Sequence, residues 1–171
     1  MKIETRDFGI LEIEEKNIIT FKQPIFGFEE FTQFVLVNDS NMGNGICWLQ
    51  SIEQKSVCFI MLNPLEVRRD YAPVVMQDVL IMLQAVPEDD LDCWVLMVIG
   101  DTFRKSTVNL KSPIIINHKT NLAVQVILEQ DYAIRQPIFD EEAGDDVCCY
   151  YPEKRANQSK SATISKYSLP R

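Results

Sequence analysis

Thr107-Val-Asn-Leu-Lys-Ser-Pro-Ile-Ile-Ile-Asn117 is the stretch whose reading decides the fold class. It ends in consecutive β-branched residues, Ile114 to Ile116, a composition that reads as a buried strand. Pro113 stands just before that run, where a missing amide donor does least harm to a sheet. Asn109 and Asn117 bracket the run, and a side-chain amide beside a buried strand ties down a turn or bridges backbone groups. None of these residues is a nucleophile or is positioned to ligate a metal. The segment is built to hold a shape.

Working outward, the neighbouring segments are strand-like too. Phe8 to Glu14 alternates, with Phe8, Ile10 and Glu12 on one side. Ile18 to Phe21, Phe31 to Val37, Ile46 to Leu49, Val57 to Leu62, Trp94 to Ile99 and Leu122 to Leu128 complete the set. A polar, glycine-bearing loop is expected over 38–45. Many short strands at close spacing argue for a sandwich or a small barrel. One segment departs: Val75, Val79, Leu80 and Leu83 recur at helical spacing and predict a short helix over Val75 to Leu83. The expected architecture is mainly β, a small β-barrel-like single domain over 1–139 with one short helix, followed by a polar C-terminal tail over 140–171.

Composition excludes several classes. The chain has 171 residues, 46% of them hydrophobic, with a formal net charge of -8 and a pI near 4.7. A protein this acidic is not expected to bind nucleic acid directly, because phosphate contacts need Lys and Arg. The N-terminus is charged and lacks an apolar stretch, and the longest apolar run, Cys93 to Ile99, is too short to span a bilayer. No membrane association and a cytoplasmic location are expected. Cys47, Cys58 and Cys93 lie in apolar runs and read as small core residues; Cys148 and Cys149 read as plain tail thiols. With no CxxC pair and one histidine, His118, no zinc site is expected. The six glycines are scattered, so no phosphate loop is present, and Glu88-Asp-Asp90 reads as a solvated patch. No catalytic constellation assembles, and no cofactor is expected.

The aromatic residues are more telling. Phe21, Phe26, Phe28, Phe31 and Phe34 crowd together, and most belong in a core. Pro24-Ile-Phe-Gly-Phe28 reads as a turn, which cannot easily bury both rings. One exposed aromatic beside Gly27 would make a binding anchor.

Five blocks, in order, resemble the FliW family of flagellar assembly factors. They are Ile19-Thr-Phe-Lys-Gln-Pro-Ile-Phe-Gly-Phe-Glu29, Trp48-Leu-Gln-Ser51, Phe59 to Pro64, Asp70-Tyr71 and Thr107 to Asn117. Gln125 to Leu128, then Tyr132-Ala-Ile-Arg135 and Pro137, close the match. The family pattern has Gly where Pro24 stands, Pro at Phe26, Asp at Asn63 and Ala at Ser112. The resemblance implies a compact β-barrel-like fold without catalytic activity. It implies two protein partners, flagellin and the translational repressor CsrA. CsrA blocks translation of flagellin messenger RNA; FliW-like proteins bind CsrA and relieve the block, and free flagellin competes for them, matching flagellin synthesis to export. The alternative is an export or folding chaperone that binds flagellin alone. A third class, a barrel enzyme or ligand carrier, would need a pocket lined by Gln50, Asp70 and His118.

Charge fits the scheme. The first 139 residues hold 19 acidic and 12 basic residues, and such a body would be drawn to an RNA-binding repressor. Flagellin, with amphipathic terminal helices in the family picture, would be held by apolar contacts. Candidate partner-binding residues are Phe26, Phe28 and Tyr71 as anchors, Gln50 and Asp70 in matching blocks, and Asn109 and Lys111 near the start of the decisive stretch. The tail segregates its charge: an acidic run over 140–146 precedes a Lys/Arg/Ser-rich end. Its acidic half would mimic RNA phosphates toward CsrA, its basic half would fold back on the acidic body, or the whole is a solvated extension.

Overall fold

Ile114, Ile115 and Ile116 are each 0% exposed, so the strand they form is buried on both faces. This follows from its position. In the computed structural model, which describes residues 1–38 and 45–139, the run becomes β9 (Ile114–Asn117). The C-terminal tail with Cys148 and Cys149, and most of the expected polar loop, lie outside the described residues.

The strands in chain order are β1 (Lys2–Glu4), β2 (Ile10–Glu12), β3 (Ile19–Gln23), β4 (Gln33–Val37), β5 (Ile46–Ser51) and β6 (Cys58–Leu62). Helix α1 (Gln77–Met82) follows, then β7 (Leu91–Val98), β8 (Thr107–Val108), β9, β10 (Leu122–Gln125) and β11 (Gln136–Pro137). Strands β7-β6-β5-β4-β3-β10-β9 are hydrogen-bonded in that order, and β9 pairs back onto β7. The result is a closed seven-stranded barrel with one short helix. All of its pairings are antiparallel except β3 with β10, which is parallel and carries an irregularity between Ala123 and Val124. Short β8 and β11 extend the sheet beyond the far half of β7, and β1 and β2 form a separate hairpin.

Alternation sorts the side chains into two layers. Ile19, Phe21, Phe34, Cys47, Leu49, Met61, Ile114, Ile116 and Ala123, with Phe59, Trp94 and Leu96 packed against them, come from every strand of the barrel and fill its interior. Ile115 points the other way, into a second cluster with Cys93, Val95, Val124, Val126, Val79, Leu83 and Tyr71. This outer layer is covered by α1 and by the chain on either side of it. The asparagines at the ends of the decisive stretch do what was expected of them. Asn109 Oδ1 accepts from the amides of Lys111 (3.1 Å) and Ser112 (3.0 Å). Buried Asn117 donates to the Leu83 carbonyl (3.2 Å) and to Asp89 (3.1 Å), and accepts from the Lys119 amide (3.0 Å). The strand end is thereby tied to the end of α1.

Three expectations need correction. The alternation over Phe8 to Glu14 yields only the three-residue β2, because its partner β1 is equally short. The seventh strand begins at Leu91 rather than Trp94, since the half from Leu91 to Trp94 is what closes the barrel on β9. Asp89 is no member of a purely solvated patch. Its carboxylate accepts from the Val86 amide (3.0 Å), from Asn117 and from Lys119 (3.1 Å), and these bonds, the Val86 amide first, lower its pKa.

Ile115→Ala empties a site walled on every side and is expected to lower unfolding stability by about 2–5 kcal/mol. Ile127→Ala, at an exposed position, is expected to stay within about 0.5 kcal/mol. Urea denaturation of both variants checks the layer assignment; equal losses would contradict it.

Candidate partner-binding surface

Beyond Gln23 the third strand cannot continue, because Pro24 has no amide to donate to the ladder. The chain turns over Ile25–Phe28, closed by a hydrogen bond from the Phe28 amide to the Ile25 carbonyl (2.9 Å). Gly27, third in the turn, has φ +82°, the left-handed conformation that a type II turn requires there. Gly27 carries the positive φ that glycine tolerates, so Pro24 at a family glycine position does not stop the turn from forming. The turn partitions its apolar residues: Ile25 is buried, Phe26 is 55% exposed, and Phe28 rests edge-on against Phe59 with ring centroids 4.8 Å apart. Gln125, itself buried, fixes the turn by accepting from the Phe26 amide (3.1 Å).

Phe26 stands at one end of a cleft of about 430 Å³. One wall is the approach to α1 and the helix itself, Val74, Val75, Met76, Asp78, Val79 and Met82; the other is the chain from Gln125 to Gln130. Val74, Met76 and Ile127 are each more than half exposed and share its apolar rim with Phe26. Gln130 spans the two walls, accepting from the Val74 amide (2.6 Å) and donating to the Ala72 carbonyl (2.9 Å). The charged groups lining the cleft are carboxylates, Asp78 and Glu129.

The structure scatters the other sequence candidates. Tyr71 is only 4% exposed; its hydroxyl donates to the Leu110 carbonyl (2.8 Å), and burial raises its pKa. It braces the core and offers no surface to a partner, a correction to its reading as an anchor. Gln50 is fully buried and donates to the Ser51 (3.0 Å) and Val57 (3.2 Å) carbonyls, holding the β5–β6 turn, so it too is a brace. Asp70 is exposed and paired with Arg68 (3.0 Å), whose guanidinium lies 5.0 Å from the Tyr132 ring centre; that hydrogen bond keeps the Asp70 carboxyl below its usual range. Lys111 is half-buried, its ammonium donating to the Gln130 carbonyl (2.7 Å) on the back of the cleft's extended wall. His118 is half-exposed and pairs with Asp92 (2.6 Å). The hydrogen bonds of Gln50, Asp70 and His118 run to separate parts of the barrel. Sequence reading missed Val74, Met76 and Ile127. Ile127 gave no distinct signal, because it continues the apolar run of Val124 and Val126 and both faces of β10 are covered up to Val124.

Among the described residues, no group of three His, Cys, Asp or Glu side chains is placed to hold a metal ion, and no helix is long and apolar enough to cross a membrane. The buried thiols of Cys47 and Cys93 are each pushed up to about 12, foremost by burial, which makes them unreactive packing groups. The molecule is thus of a definite class, a small closed barrel whose described surface carries an apolar cleft and no assembled reaction centre. More narrowly, the chain belongs to the FliW family of flagellar assembly factors, a non-enzymatic family: the family model described as "FliW protein" matches residues 2–138. It is 35% identical over 142 residues to the flagellar assembly factor FliW of Thermoanaerobacter pseudethanolicus, covering 82% of this chain and 95% of that one. It is 34% identical to the FliW of Clostridium kluyveri, covering 83% and 98%. A crystal structure of the flagellar assembly factor FliW superposes with a TM-score of 0.77 at 32% identity, covering 84% of this chain and all of that one.

Two outcomes follow from the local geometry. Gly27→Ala meets no atom within 4 Å of its new Cβ, so its cost is the left-handed backbone alone, about 1 kcal/mol by urea denaturation. The His118–Asp92 hydrogen bond raises the imidazole pKa. A raised folded pKa stabilises fully below the ordinary imidazole value and is lost as pH rises through the folded value. The wild-type melting temperature should therefore fall slightly as pH climbs from about 6.5, while that of His118→Gln should not. The shift is small because the pair is half in water.

Proposed function

We propose that this chain binds flagellin through the cleft beside Phe26 and antagonises the translational repressor CsrA, so that flagellin synthesis follows export. The observation that carries the reading is the apolar rim of Phe26, Val74, Met76 and Ile127 on a chain of the FliW family. Exposed large apolar side chains around a concave site are what an amphipathic segment would cover. Phe26 and Phe28 are the anchors in this reading, and Asp70 is a surface carboxylate for which a basic partner would compete with Arg68. Asn109 and Lys111 act indirectly, by holding the chain that backs the cleft. Tyr71 and Gln50 support the barrel from within.

Contact with CsrA is assigned to charge. An RNA-binding repressor presents cations, and the acidic body attracts them while repelling RNA phosphates nearby. No direct nucleic acid contact, membrane contact or cofactor is involved, and the place of action is the cytoplasm, where both partners are made.

Adding flagellin to a preformed complex with CsrA is expected to release CsrA. A complex that survives saturating flagellin would overturn the competition, and failure to bind CsrA at all would leave a chaperone for flagellin alone. Phe26→Ala is expected to weaken flagellin binding by about tenfold or more while the protein stays folded. Full-strength binding by folded Phe26→Ala and Phe28→Ala proteins would remove the cleft from this reading.

A further inference from the structure

The cleft has an open strand edge. Past its pairing with β3, the chain of β10 runs on extended, its alternate amides at Val126 and Leu128 donating to the carbonyls of Pro113 and Lys111 (each 3.0 Å). The intervening Ile127 makes no backbone hydrogen bond among the described residues, and its side chain is 63% exposed. In an extended chain, alternate residues direct their amides and carbonyls to opposite sides. The Ile127 groups therefore point to the side that β3 leaves at Gln23, its last residue paired to β10. An unpaired edge of this kind templates the addition of another extended chain.

The sequence supplies a candidate. Residues 154–171 contain five basic residues and no acidic one, whereas the charged groups lining the cleft are the Asp78 and Glu129 carboxylates. Within that segment, Thr163-Ile-Ser-Lys-Tyr-Ser-Leu169 is rich in residues that favour strands and is closed by Pro170, which cannot extend a ladder. The acidic residues of 140–153 would meet like charge at the same rim.

We propose that residues 163–169 dock in cis along the Gln125–Glu129 edge. Ile164, Tyr167 and Leu169 would cover the apolar rim, and Lys166 and Arg171 would face Asp78 and Glu129. Reach is not limiting. The 25 residues from Phe139 to Ile164 can reach at most about 80–90 Å, against a body about 40 Å across. Tethering raises the effective concentration to about millimolar, so a weak contact is enough to fill the cleft. The segment lies outside the region matched by the family model, so this device would be an addition to the shared barrel. The inference rests on the proposed docking role of the cleft and supplies its regulation, since a partner would have to displace the tail.

Amide hydrogen exchange of the full chain, compared with a chain ending at Phe139, tests this without any partner. The shortened chain retains the whole region matched by the family model. Exchange at Ile127 is expected to be at least about tenfold slower in the full chain, independent of protein concentration. Full-length Lys166→Glu/Arg171→Glu should exchange as fast as the shortened chain. Equal rates in full and shortened chains would overturn the proposal. So would protection that grows with concentration, which would place the segment on a second copy, or protection unchanged by the charge reversal. Flagellin binding by the shortened chain is a separate measurement: its absence would remove the flagellin reading and leave the exchange result standing.

Discussion

Closure of the barrel depends on one set of strand contacts, the antiparallel register of Leu91–Trp94 against Ile114–Asn117. Without it the sheet would end in two open edges, and the side chains of the interior cluster would lack a wall. A slip of one residue would exchange Ile115 with its neighbours between layers. Both layers are apolar here, so hydrophobicity alone sets that register weakly. Polar contacts at the strand ends supply the missing specification. Asn117 can reach Leu83, Asp89 and Lys119 together in a single register, and Asn109 fixes the turn that feeds Pro113.

The same interaction explains why the decisive stretch was legible. A β-branched run flanked by amides carries its burial and its punctuation locally, so β9 could be read from residues alone. The short helix was legible for the same reason, its apolar spacing surviving as Val79 and Leu83 in the outer layer. Other features depend on partners far along the chain. Strands β8 and β11 are two residues each and exist only because β7 and one another lie alongside. Tyr71 looked like an exposed anchor because its burial is decided by Leu110, 39 residues away. Gln50 resembles a surface polar residue until the carbonyls of the following turn close over it.

The cleft was half legible. The Pro24–Phe28 turn announced an exposed ring through its glycine, because only a positive φ lets the chain reverse there while Ile25 stays inside. The opposite wall announced nothing, since exposure at Val74 and Met76 depends on the direction in which α1 leaves the barrel. That direction is set from the C-terminal end of the helix, where the Leu83 carbonyl accepts from both Asn117 and Thr120.

Rigidity and accessibility are therefore assigned to different parts of one strand pair. On the closed side, β9 and β10 bury Ile114 to Ile116, Ala123 and Val124 completely, and nothing there is free to meet a partner. Three residues further along, the same ladder loses β3 to a proline and exposes Ile127. The transition is abrupt because a proline ends a ladder at a single residue, whereas loss of side-chain burial alone would let it fray gradually. A partner segment meeting that edge would find backbone groups already held in extended geometry by Pro113 and Lys111. Its ordering cost would fall on the segment alone, and the barrel would stay as it is.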